Sequence, residues 1–126
     1  MFSFKIDSVS KTRSTNFERY KEKLHRYFCQ HSDTDPLSSF AYGTLIKNRE
    51  EVHLALKKNQ IECRPLICGN IARHPFWEKR KDDERLINAN KIHDYGIYLP
   101  NHHNLTPTDI DRVCEVFSQS ALPISF

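Results

Sequence analysis

The chain has 126 residues, 38% of them apolar and 11% aromatic, enough for one domain around one modest core. Nineteen basic residues against sixteen acidic ones leave a net charge of +3, with both signs interspersed, so composition makes no case for a nucleic-acid partner. No apolar run approaches the roughly eighteen residues of a membrane span, and the opening MFSFKIDSVSKTRS lacks the layout of a signal peptide, so neither an anchor nor export is expected.

Residues 1–14 are expected to be a lead segment. Thr15 and Glu18 have the spacing of a capping box, in which a side chain and a backbone amide satisfy each other. That pair predicts a helix starting at Thr15, with Phe17, Tyr20, Leu24 and Phe28 on one face. HSDTDP, residues 31–36, reads as a loop. Ser39 to Lys47 is short, aromatic and apolar, and predicts a strand. Asn48 then caps a second helix, with Val52, Ala55 and Leu56 inward and Asn59 at its end.

IECRP, residues 61–65, predicts a short strand closed by Pro65. The stretch RPLICGNIARHPFW, residues 64–77, follows. It sets Arg, Asn, Arg and His among Pro, Gly and two aromatics, and is the part of the chain where function is most legible. The mixed-sign run from Glu78 to Arg85 reads as a solvated face. A third helix over residues 83–95 turns Leu86, Ala89 and Ile92 inward, and Gly96 releases it into a strand at residues 97–99. Thr106, Pro107 and Asp109 start a last helix with Ile110, Val113 and Phe117 in the core. Residues 119–126 are read as a C-terminal tail, with ALPISF, residues 121–126, expected to fray.

The order α-β-α-β-loop-α-β-α predicts an α+β fold. It is a two-layer domain over residues 15–118, with a short, mainly antiparallel three-stranded sheet and about four helices. With helices on only one face of the sheet, the other face is left for a partner domain.

Within the loop, Arg64 and Arg73 offer planar, bidentate donors suited to a diphosphate or a pair of sugar hydroxyls. Asn70 offers both a donor and an acceptor, His74 a further hydrogen bond, and Gly69 a close backbone approach. The bland alternative is that these groups pair among themselves to hold the loop. Phe76 and Trp77 either stack on a base or pack under the loop. No metal site is expected. Cys63 and Cys68 are four residues apart, and the later His74, His93, His102 and His103 supply no matched ligand pair. No serine sits in a glycine-flanked elbow. The four cysteines are expected as free thiols of a cytoplasmic protein.

Four segments carry a resemblance. NREEVHLALKKNQIECRPL resembles a helix running into a strand that ends "xIExRPL". CGNIARHPFW resembles an "AGNLxRQP" loop. NANKIHDYGIYLP and NLTPTDIDRVCEVF are similar to the "AxxIxxxG[IV]x[LI]P" and "LTxxDIDxVxxxF" elements that follow it. Together they resemble the C-terminal small domain of the DegT/StrS family of fold-type-I, pyridoxal phosphate-dependent sugar-nucleotide aminotransferases and 3-dehydratases. His74 departs from the family pattern, standing where the dehydratase branch has Gln.

The resemblance implies a nucleotide-sugar substrate, deoxysugar or lipopolysaccharide O-antigen biosynthesis, and substrate contact through Arg64, Asn70, Arg73 and His74. It also implies that the catalytic Lys or His and the cofactor contacts lie in a large N-terminal domain, none of which is among these residues. No catalytic or cofactor-binding residue is therefore expected here, and pyridoxal or pyridoxamine phosphate only together with that large domain. The partners implied are such a domain or a full-length homologue. The alternative is a free-standing, non-catalytic module that binds a nucleotide sugar or a full-length homologue.

Overall fold

A computed structural model describes residues 2–29, 39–66, 69–75 and 84–125, with the side chains of residues 2–5 and 84 left aside. The fold is α+β. Four helices, α1 (Phe2–Lys23), α2 (Arg49–Lys58), α3 (Ile87–Tyr95) and α4 (Pro107–Ser120), accompany a three-stranded sheet. Its strands, β1 (Ala41–Leu45), β2 (Arg64–Pro65) and β3 (Gly96–Pro100), lie in the order β1-β3-β2, antiparallel throughout.

Period-two burial decides the two faces of the sheet. Tyr42 and Thr44 pair with Leu99 and Ile97, and all four are buried. They face a core of Phe17 and Tyr20 from α1, Leu24 just after it, Val52 and Leu56 from α2, and Ile110, Val113 and Phe117 from α4. Tyr20 stacks on Tyr42 at 4.9 Å, and Tyr27 meets Phe117 edge-on at 5.0 Å. Such aromatic pairs add about 0.5–1.5 kcal/mol each beyond the area they bury.

The opposite face carries Gly43, which pairs with Tyr98, and Arg64, which pairs with Tyr98 from the other side. It is not left wholly open. Leu66 folds over Gly43 and Gly96, where a Cβ would collide with its side chain, and Ile92 of α3 shares a groove with Leu45, Leu66 and Tyr98. The missing Cβ atoms make room for Leu66 on this face, and the one at Gly96 also admits the Ile92 carbonyl of α3. The other end, around Phe40 and Arg64, stays exposed.

Several boundary expectations are corrected. The first helix begins at residue 2, not Thr15, because residues 2–24 contain no Gly or Pro to break it. Thr15 sits mid-helix, its hydroxyl donating back to the Lys11 carbonyl at 2.9 Å. The helix also ends before Phe28, which is 40% exposed. Asn48 precedes α2 without capping it through its side chain. Its amide instead donates to the Ser120 carbonyl at 2.6 Å and accepts from the Leu122 amide at 2.9 Å. The tail expected to fray from Ala121 is therefore docked: Ala121 is buried and Pro123 bridges to Ile46. The strand expected at residues 61–65 shrinks to Arg64–Pro65.

The third helix begins at Ile87, after a 3-10 turn at Glu84–Leu86, and its expected inward residues Leu86, Ala89 and Ile92 are only half-buried; its expected start at residue 83 lies outside the described residues. The strand expected at residues 39–47 narrows to Ala41–Leu45. Thr106 and Asp109 form a full capping box with Pro107 in the first turn, and α4 buries the expected residues. The loop at 31–36, Cys68, Phe76 and Trp77 lie outside the described residues.

Candidate functional site

The loop after β2 is built on α3. Gly69 turns the chain with φ +50°, a conformation that glycine adopts without strain. A Cβ there would lie 2.7 Å from Nδ1 of His93, so its close approach is to that imidazole. The Asn70 backbone amide then donates to His93 Nδ1 at 3.1 Å. The Asn70 side chain donates to Asn90 Oδ1 at 2.7 Å and accepts from the Ala72 amide at 3.0 Å, capping the 3-10 turn Ile71–Arg73. Asn70 is 3% exposed, so both ends of its amide serve the loop itself.

Arg73 and His74 emerge from that turn, both half-buried. The Arg73 guanidinium donates to Asp94 Oδ1 at 2.7 Å. The His74 ring lies edge-on to His93, with centroids 6.3 Å apart. Burial lowers the His93 pKa, and the neighbouring Arg73 guanidinium lowers it further. Three polar residues within about one turn of α3, namely Asn90, His93 and Asp94, thus hold the loop.

The four expected site residues are not all brought together. Asn70, Arg73 and His74 share the α3 cluster. Arg64 stands on β2, largely exposed and paired with Glu62 at 2.9 Å. It lines a separate cavity of about 220 Å³ with Phe40, Tyr98, Asn101 and His102. Phe40 and Tyr98 form a tilted aromatic pair at 5.7 Å there. Sequence reasoning missed His93, Asn90 and Asp94 as members of the site. The signal available was their spacing, which puts all three within one turn and a half of a helix.

Pyridoxal phosphate needs a base at the reacting atoms, an aromatic ring to stack on and an acid at its ring nitrogen. None of the four cavities described joins a lysine to an aromatic ring and an acid. Among the described residues, the lining of these cavities does not fit that cofactor. Among the described residues no group of three or more His, Cys, Asp or Glu is placed to hold a metal ion. Cys63 is buried, with His53 Nδ1 at 3.1 Å from its sulfur, and burial pushes its thiol pKa up. Cys114 is pushed up to about 12 by burial. Neither has the lowered pKa of a nucleophile. No described helix is long and apolar enough to cross a membrane.

The sequence model of the DegT/DnrJ/EryC1/StrS aminotransferase family matches residues 4–118. Among solved structures, the chain is similar to the E. coli GDP-4-keto-6-deoxy-D-mannose-3-dehydratase, at 26% identity and a TM-score of 0.75, covering 90% of this chain and 32% of that one. It is similar in fold to a sugar aminotransferase from Micromonospora echinospora, at 16% identity and a TM-score of 0.76, covering 91% and 31%. A DegT/DnrJ/EryC1/StrS aminotransferase from Brucella abortus gives 16%, 0.76, 88% and 31%. The chain spans about a third of the length of these structures. No curated protein matches it.

Proposed function

The chain belongs to the DegT/DnrJ/EryC1/StrS aminotransferase family, and from that premise we propose that it is the C-terminal small domain of a nucleotide-sugar aminotransferase or 3-dehydratase. On this reading it supplies one wall of the substrate cleft, and pyridoxal or pyridoxamine phosphate is held by a separate large domain. The observation that carries the reading is a family match over nearly the whole chain, to proteins of which the chain spans about one third. The cofactor supplies an electron sink when bound in the large domain. This chain's part is to bind and orient the sugar nucleotide.

The loop geometry supports that role. Arg73 and His74 stand half-exposed on a turn whose position α3 fixes. Arg64, exposed on β2, offers a second guanidinium for a phosphate. Asn70 acts from inside, by holding the turn. Phe40, 59% exposed beside Tyr98, is apolar surface that a partner domain would cover. A setting in cytoplasmic deoxysugar or lipopolysaccharide biosynthesis is the natural extension of this reading.

The test is the mass of the gene product in its own cells, by immunoblot against this domain. A band near three times the mass of these residues supports a domain of a complete enzyme. A band at the mass of these residues alone overturns that in favour of a separate, non-catalytic module that binds a nucleotide sugar or a full-length homologue.

A further inference from the structure

The side-chain hydrogen bonds described between residues 69–74 and the rest of the fold end on one helix. Asn70 reaches Asn90 and His93, and Arg73 reaches Asp94. Of these links, the one to His93 depends on protonation near neutral pH. The Asn70 N–H donates to Nδ1, so Nδ1 carries a lone pair and the ring's single hydrogen sits on Nε2. A protonated ring carries hydrogen on both nitrogens. Donor would then face donor, and the bond is lost.

The charged groups around the ring oppose protonation. The loop presents Arg73 and His74, and α2 contributes Arg49, whose Nη1 donates to the His93 carbonyl at 2.6 Å. Only Asp94, on the same helix, favours the cation, and its carboxylate is engaged by Arg73. Gly69 lies directly against the ring, so a shift of the imidazole displaces the turn.

We propose that His93 is a positioning residue whose neutral ring latches residues 69–74, and whose protonation releases the turn carrying Arg73 and His74. Any effect on substrate contact rests on the reading of that loop given above; the latch itself is tested without a ligand. The folded pKa of His93 lies below its ordinary value of 6.5. The latch is therefore complete above 6.5 and is lost as pH falls from there through the folded value.

The experiment follows the Asn70 amide and the His93 ring of the 126-residue chain by NMR between about pH 8 and pH 5. The expected result is that the intrinsic-rate-corrected solvent exchange of the Asn70 amide rises about tenfold or more as the ring titrates. The Val113 amide in the α4 core keeps its protection. His93→Asn places a carboxamide oxygen near the Nδ1 position without a titrating proton. It is expected to keep the Asn70 amide protected across the range. His93→Ala is expected to expose it at every pH. An Asn70 amide that ignores the wild-type ring titration overturns the proposal, as does the same pH response in His93→Asn. If a variant does not fold, the wild-type titration decides alone.

Discussion

Arg73 and Asp94 form an ion pair, Nη1 to Oδ1 at 2.7 Å, that ties the turn after β2 to α3 immediately beside the His93 ring. Both partners are partly exposed, so the pair contributes little to global stability. Its consequence is local. Arg73 holds the His93 pKa down and Asp94 holds it up. Arg73→Gln is therefore expected to raise the pH at which His93 titrates, and Asp94→Asn to lower it. The C2–H resonance of the His93 ring, followed through both titrations, checks the two signs. Shifts in the same direction would contradict this arrangement.

Gly69 faces two constraints at once. Its φ of +50° strains other residues, and the space a Cβ would fill is held by the His93 imidazole. Gly69→Ala is expected to cost about 1–3 kcal/mol, with loss of protection at the Asn70 amide. Denaturant unfolding combined with hydrogen exchange reads both. A variant as stable as the parent would mean that the turn adopts another conformation.

Asn48 joins the start of α2 to the segment after α4 through Ser120 and Leu122. Asn48→Ala leaves a carbonyl and an amide without these partners, at a cost of about 1–3 kcal/mol. Carboxypeptidase is expected to trim residues 122–126 faster in the variant. Equal trimming rates would show that the Pro123 bridge to Ile46 and the Lys47 amide bond to the Leu122 carbonyl hold the tail without it.

What the sequence could reveal depended on how far apart the partners are. Thr106, Pro107 and Asp109 lie within one turn, and the start of α4 is readable from them alone. Ile110, Val113 and Phe117 repeat at helical spacing and are buried as that spacing implies. Thr15 and Glu18 misled because capping-box spacing also occurs inside a helix, where threonine bonds the preceding turn instead. The absence of a breaker before Thr15 was the stronger signal. Asn48 misled for another reason: its amide does reach Glu51, three residues on, but its other partners lie 72 and 74 residues away, and its side chain does not bond the backbone of the first turn. In the loop, local composition picked out Arg73 and His74. It could not show that Gly69 and Asn70 face His93 and Asn90, because that pairing is made by the fold. The resemblance pointed to the loop as a candidate site but not to its dependence on α3.

The most direct test of the central claim is nucleotide-sugar binding by the assembled protein, cofactor domain included, as parent and as Arg64→Ala and Arg73→Ala. Calorimetric affinity is measured alongside the melting temperature. The cleft-wall reading predicts about tenfold or greater loss of affinity for each variant, equivalent to about 1.4 kcal/mol or more, with the melting temperature nearly unchanged. Unchanged affinity, or affinity and melting temperature falling together, would contradict it and leave these arginines as props of the loop.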